Sequence, residues 1–307
     1  MRYFSFFHRN TECVLSYPVK EYPKVYNKNG NPLEFFYLQD QIMATYSKSQ
    51  YFMWDRCNYG LDVHFYSHNN MLSTKGTPIH KYGILVESKQ IVPDNYKIFD
   101  RYKGLEKEFD SIFTYDAELL NKLPNTKFFP SCAEVWYGKN EDGHIWDDQC
   151  YQKKTKGISI LSSDKEMCDM HKLRIEVSRY CKKTGIADAY GTFDGGHYCL
   201  VDDTLREYRY SIIIENDISD YFYTEKITNC FASQTIPIYM GASQIDQFFN
   251  MDGIINIEKD DLEHLDVFLE QCTEKYYEEH LSAILDNYEK VSRYQNIYDW
   301  LYESYFQ

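Results

Sequence analysis

The sequence predicts an α/β protein of two domains, each built on a parallel sheet. Three observations point there. The chain has 307 residues, more than one usual domain holds and enough for two of about 150. From residue 157 onward, short apolar runs alternate with helix-period segments, the pattern of βα units joined by crossovers. Between the halves lies a polar, turn-rich stretch, GKNEDGHIWDDQCYQKKTK (138–156), which reads as a linker. The expected domains are 1–145 and 150–285, with a terminal helix over 286–307 packing back on the body and the two sheets facing each other across a cleft.

In the first half, YFMWD (51–55) and DVHFY (62–66) are short strand candidates, and KYGILVES (81–88) is an apolar run ending in a carboxylate. The segment 109–131 reads as strand IFTY, helix DAELLNKL stopped before Pro124, then strand KFFP. After the linker, GISILSS (157–163) is a strand. HKLRIEVSRYCKK (171–183) is a helix with Leu173, Val177 and Tyr180 on one face and Gly185 beyond its end. YRYSIII (208–214) is a strand, and 220–233 a helix with Ser219 as its N-cap. TIPIYMG is a strand, ASQIDQFF a short helix, GIINIE (253–258) a strand and DLEHLDVFLEQC (261–272) a helix. Residues 273–306 are helical and aromatic.

Composition excludes several classes. With 47 acidic against 33 basic residues, the net charge is −14, the wrong sign for a protein that holds nucleic acid by displacing counterions. Nine cysteines without a CxxC pair predict free thiols in a reducing compartment, hence a cytoplasmic protein. The first twenty residues lack an apolar core fit for a signal peptide, and no 18-residue apolar run occurs. Neither GxxxxGK[ST] nor GxGxxG is present, and no Asp-x-Asp triplet, so a P-loop, a dinucleotide fingerprint and that kind of metal-dependent transferase are disfavoured. His64 and His68, like Cys168 and His171, lack the partners of a metal site.

The stretch ENDISDYFYTEK (215–226) carries the chemistry. It leads from an apolar strand into a helix, where the open end of a parallel sheet binds ligands. A helix N-terminus offers unpaired N–H groups to an anion. Lys226 adds a full positive charge, and Arg174 adds a second if its helix opens on the same side. A carboxylate such as Glu215, directly after a buried strand, needs partners.

From these residues a resemblance emerges. IIIENDISDYFYTEKITNCFASQTIPIYMG resembles the signature of the α-1,3/4-fucosyltransferase family, glycosyltransferase family 10, in its bacterial or viral form. Glu215-Asn216, Thr224-Glu225-Lys226 and Pro237-Ile238-Tyr239-Met240-Gly241 match in order. Asp188 and Tyr190-Gly191 match a strand end upstream. The likeness covers 157–260 and is weak over 1–140. It implies a GT-B-like fold of two Rossmann-type domains, the N-terminal one binding acceptor and the C-terminal one the nucleotide-sugar donor. It implies inverting transfer of L-fucose from GDP-fucose to a glycan hydroxyl in an α-1,3 linkage, in lipopolysaccharide or other surface glycoconjugate synthesis. Partners would be a nucleotide sugar and an oligosaccharide acceptor. No metal is obligatory, and a divalent ion is at most stimulatory.

Carried over by position, Arg174 and Lys226 hold the diphosphate and Glu225 contacts the nucleotide sugar. Glu215, Asn216, Phe222, Tyr223, Thr224, Tyr239 and Gly241 complete the donor site. Glu87 stands for the base that deprotonates the acceptor, with Glu134 in reserve. The chain departs from the family at Ile214, where a Phe is usual, and at Phe222-Tyr223, where Tyr-Val is usual. Two alternatives therefore stay open: a same-fold transferase using a different nucleotide sugar, or a catalytically silent nucleotide- or glycan-binding module.

Overall fold

The computed structural model describes residues 2–7, 25–26, 32–33, 51–56, 60–130, 132–138 and 153–307, of which 2–7, 25–26, 32–33 and 53–56 as backbone only. Most of the expected linker, residues 139–152, lies outside them. Two compact units result. The first holds Met1–Cys132, Lys139–Ile145 and Asn296–Gln307, the second Ala133–Gly138 and Trp146–Gln295.

The first unit is organised by β1 (Arg2–Phe7), β4 (Phe52–Arg56), β5 (Val63–Ser67), β6 (His80–Ile84), β7 (Ser111–Thr114) and β8 (Thr126–Phe128). They form a parallel sheet in the order β4-β1-β5-β6-β7-β8. A two-residue antiparallel pair, β2 (Val25–Tyr26) with β3 (Pro32–Leu33), stands apart. Strands buried on both faces read as unbroken apolar runs rather than alternation, and all of SIFT is buried. The helix Ala117–Lys122 begins where Asp116 accepts a hydrogen bond from Leu119 N and ends before Pro124.

The last helix, Ile297–Tyr305, completes this same unit. Asn296 caps it by accepting from Tyr298 N and Asp299 N. Its rings close over the sheet: Tyr302 stacks on Tyr51 at 4.6 Å, and Phe306 meets Phe65 at 5.9 Å and Tyr82 at 5.0 Å. The Tyr305 hydroxyl donates to Phe128 O at 2.7 Å. The aromatic tail expected as one helical stretch is therefore three helices. Glu274–Glu279 and Leu281–Val291 belong to the second unit.

The second unit contains β9 (Lys156–Leu161), β10 (Asp188–Tyr190), β11 (Tyr208–Ile214), β12 (Ile236–Met240) and β13 (Ile255–Asn256). All are parallel, in the order β10-β9-β11-β12-β13. Chain order reverses between β9 and β11, which makes their carboxyl ends the expected ligand side. Tyr210, Ile212 and Ile214 pair with Ile236, Ile238 and Met240 in register. This face packs with Met170, Val177 and Cys181 of the helix Asp169–Thr184 and with Leu265 and Leu269.

That helix corrects the expected apolar face. Its buried residues are Met170, His171, Arg174, Ile175, Val177, Ser178 and Cys181, whereas Tyr180 is 40% exposed. The inner face is partly polar because Arg174 and Ser178 find hydrogen-bond acceptors there. The helix expected over 220–233 also shifts. It spans Glu225–Ala232 with Thr224, not Ser219, as the N-cap. Later elements are shorter than expected. ASQIDQFF yields one 3-10 turn, Ile245–Gln247, and 261–272 divides into the 3-10 turn Asp260–His264 and the helix Leu265–Leu269.

Among the described residues, six cysteines carry free thiols, and no helix is long and apolar enough to cross a membrane.

Candidate functional site

The carboxyl end of the second sheet gathers most of the predicted residues. Glu215 follows directly on β11 and extends its ladder by one step, its N–H donating to Met240 O at 2.9 Å. Its side chain is wholly enclosed, so its oxygens must find partners inside the protein. Thr224 supplies them: its N–H donates to Oε1 at 2.9 Å, and its hydroxyl lies 3.1 Å from Oε1 and 2.8 Å from Oε2. Lys226 Nζ stands 3.5 Å from Oε2. Burial pushes the Glu215 carboxyl above the ordinary range, and the Lys226 ammonium acts against that push.

Thr224 opens the helix Glu225–Ala232. Its Oγ1 accepts from Lys226 N at 3.3 Å and from Lys226 Nζ at 3.0 Å. Nζ also reaches Glu225 Oε1 at 3.2 Å. Burial works to discharge this lysine, but Glu225 and Glu215 outweigh it and hold the pKa above its ordinary value. About a quarter of the Lys226 side chain, 23%, stays exposed.

Arg174 approaches from the helix Asp169–Thr184. Nε donates to Ile214 O at 2.8 Å and Nη2 to Asn216 Oδ1 at 2.6 Å. Burial lowers its pKa, with Glu215 opposing, yet a guanidinium stays charged at any physiological pH. Its Nη1 has no hydrogen-bond partner among the described residues. Two cations and a helix N-terminus thus converge on one strand end, an arrangement suited to a doubly charged phosphate group.

Tyr239 and Gly241 support the site from β12. The Tyr239 hydroxyl accepts from Ala242 N at 3.0 Å and is buried. A Cβ on Gly241 would stand 2.3 Å from that hydroxyl and 2.7 Å from Glu215 Cγ, so only glycine fits. Gly191 plays the same part after β10: its φ of +110° and a Cβ position 1.8 Å from Ser162 O admit no side chain.

Phe222 and Tyr223 occupy a different place from the one their position in the motif suggests. They are 2% and 1% exposed. Tyr223 packs among Phe248, Phe249 and Tyr294, its hydroxyl 3.1 Å from that of Tyr294. In this conformation Tyr223 offers no surface to a ligand, and its role is to anchor the turn.

Glu87 lies in the first unit. Its strand ends at Ile84, so the residue sits three positions into the following loop rather than on the strand. Oε1 accepts from Ser88 N at 2.9 Å, and Oε2 takes no hydrogen bond among the described residues. The backbone is fixed, because Glu87 O accepts from Tyr96 at 2.6 Å and Tyr115 at 3.3 Å. Glu134 is buried and falls in the second unit, within a segment whose Trp136 and Tyr137 N–H groups donate to Asn229 Oδ1.

One residue of this site escaped the sequence reading. His171 is buried one turn before Arg174, its Nδ1 accepting from Met167 N at 3.2 Å. Burial and then the Arg174 and Lys226 charges lower its pKa, leaving a neutral ring beside the cations at pH 7. The signal was a polar pair at i, i+3 on what periodicity marked as a helix.

Residues 151–298 match the family model described as glycosyltransferase family 10 (fucosyltransferase) C-term. The α-(1,3)-fucosyltransferase FucT of Helicobacter pylori is 31% identical over 85 residues, which span 28% of this chain and 17% of that relative. A solved alpha1,3-fucosyltransferase aligns over 92% of this chain and 80% of its own, with 13% identity and a TM-score of 0.50. One solved with GDP-fucose aligns over 78% and 81%, with 14% identity and a TM-score of 0.46. A T4 phage BGT in complex with UDP and Mn2+ aligns over 80% and 83%, with 13% identity and a TM-score of 0.40. The two parallel α/β units are thus a GT-B-like pair of Rossmann-type folds, and the unit that holds Arg174, Glu215 and Lys226 lies within the span, just under half of the chain, that is similar to the C-terminal part of glycosyltransferase family 10, the fucosyltransferases.

Proposed function

We propose that the chain transfers L-fucose from GDP-fucose to a hydroxyl of a glycan acceptor with inversion, forming an α-1,3 linkage in a surface polysaccharide or lipopolysaccharide. The observation that carries this reading is the convergence of Arg174 and Lys226 on the end of β11, within the span that matches family 10. In this reading Lys226, the Arg174 Nη1 edge and the first N–H groups of Glu225–Ala232 hold the donor diphosphate. The acceptor oxygen forms its bond to the anomeric carbon as the bond from that carbon to the diphosphate oxygen breaks. Glu87, in the first unit, takes the acceptor proton, and GDP leaves with the electron pair.

Negative charge grows on the leaving diphosphate through that step. Each preorganised donor facing it lowers the barrier by about 2.7–4 kcal/mol, on the scale of single oxyanion donors. These groups supply the positive charge, so no metal is obligatory in this reading. The second unit is the donor domain and the first the acceptor domain.

Thermal shift with GDP, GDP-fucose, GDP-mannose, UDP-sugars and CDP-sugars tests the donor. Ligands that bind only the folded state raise the melting temperature. Selective stabilisation by GDP and GDP-fucose is expected. Preference for a uridine or cytidine nucleotide would reassign the donor, and stabilisation without turnover over a broad acceptor panel would make the chain a binding module.

A further inference from the structure

Two residues of the motif are enclosed too completely to touch a ligand: Glu215 is fully buried and Thr224 is 2% exposed. Their hydrogen bonds nevertheless have a direction. The Thr224 hydroxyl has one proton and faces three groups: the Glu215 carboxylate, the Lys226 backbone N–H and the Lys226 ammonium. The last two only donate, so the hydroxyl proton must go to Glu215.

We propose that Glu215 and Thr224 are positioning residues that act through Lys226. The carboxylate draws the Thr224 proton toward the interior, which turns the oxygen lone pairs onto the helix N-terminus and the ammonium. Lys226 is thereby held by Thr224 at 3.0 Å and Glu225 at 3.2 Å, with its exposed part presented at the strand end before any ligand arrives. Preorganisation of this kind spares the site the cost of ordering a flexible lysine on binding. The further claim that the presented ligand is a nucleoside diphosphate rests on the function proposed above.

Thr224→Val separates position from charge, since it removes the hydroxyl and leaves every charge in place. Two quantities are read: the rate at which acetic anhydride acetylates Lys226 in the ligand-free protein, followed by peptide mass spectrometry, and GDP affinity by calorimetry. Thr224→Val is expected to raise Lys226 acetylation several-fold and to weaken GDP binding about ten-fold, as for one lost charge-assisted hydrogen bond. Thr224→Ser, which keeps the hydroxyl, should return most of both. If Thr224→Val fails to fold, Glu215→Gln/Thr224→Val removes the stranded buried charge and takes the same two measurements. A lowered melting temperature with unchanged Lys226 reactivity would make the pair merely structural and overturn the proposal. Raised reactivity with no GDP binding even by the wild type would leave the relay standing and remove the donor reading instead.

Discussion

Replacing Gly241 by alanine should disturb both the fold and the site, and the size of the effect follows from three distances. The added Cβ would stand 2.3 Å from Tyr239 Oη, 2.5 Å from Tyr239 Cζ and 2.7 Å from Glu215 Cγ. Ordinary carbon contacts begin near 3.5 Å, so the tyrosine ring must retreat by about 1 Å. It is 2% exposed and its hydroxyl holds Ala242 N at 3.0 Å, so the retreat breaks a buried hydrogen bond. Overpacking costs about 1–3 kcal/mol, and the orphaned polar group about 1–3 kcal/mol more. Together that is about 2–6 kcal/mol, and at about 2–4 °C per kcal/mol for a domain of this size the melting temperature should fall by roughly 4–24 °C. Displacement of Glu215 should also reach Lys226 through Thr224 and weaken GDP binding. Differential scanning fluorimetry and GDP titration of the variant measure the two effects. A variant melting within about 1 °C of the wild type and binding GDP unchanged would refute this account of why β12 ends in glycine.

Lys226→Ala should cut kcat/KM about 10²–10³-fold, the scale of one lost donor to developing charge, and Glu87→Gln should depress kcat while GDP affinity holds; steady-state kinetics with titration checks both. Tyr223→Phe should lower stability by about 1 kcal/mol through loss of its hydroxyl pair with Tyr294, yet leave donor affinity intact; a change in donor affinity would return Tyr223 to the binding surface. Lys154 predicts a pH dependence. Among the described residues it is buried against Leu205 O, Arg206 O and Thr235 Oγ1 without a carboxylate, and burial pulls its pKa down to about 7. Between that value and the ordinary lysine value of about 10.4, the unfolded chain binds a proton that the folded chain lacks, so this residue makes stability rise with pH. The melting temperature of the wild type should therefore climb relative to Lys154→Met from pH 7 to pH 9; a difference that does not change with pH would show that the lysine stays charged inside.

Most strands were legible in the sequence because parallel strands bury both faces and leave apolar runs such as YSIII and TIPIYMG, whereas Arg2–Phe7 was not among those expected. What the sequence obscured has one cause, which is polar groups satisfied at long range. Arg174 lies on the inner face of a helix that hydrophobic periodicity turned outward at Tyr180, because the acceptors that make its burial tolerable, Ile214 O and Asn216, lie forty residues on. The N-cap was read at Ser219 because a local rule sees only neighbours, whereas Thr224 is fixed by Glu215, nine residues back. Glu215, Thr224, Glu225 and Lys226 come together at one strand end, and Asn216 joins Arg174 there. Tyr223 does not join them as a surface, since its ring is claimed by Phe248, Phe249 and Tyr294.

The tail Asn296–Gln307 has a consequence for synthesis on the ribosome. Every stretch of the second unit has been translated by Gln295, before any of the helix Ile297–Tyr305 exists. The first unit has not. Phe65, Tyr82 and Phe113 were made some two hundred residues earlier, yet their covering rings, Tyr305 and Phe306, are made only after the whole second unit. The first unit thus cannot complete its core until the second has been made, and its apolar sheet stays open to chaperones and to other chains until then.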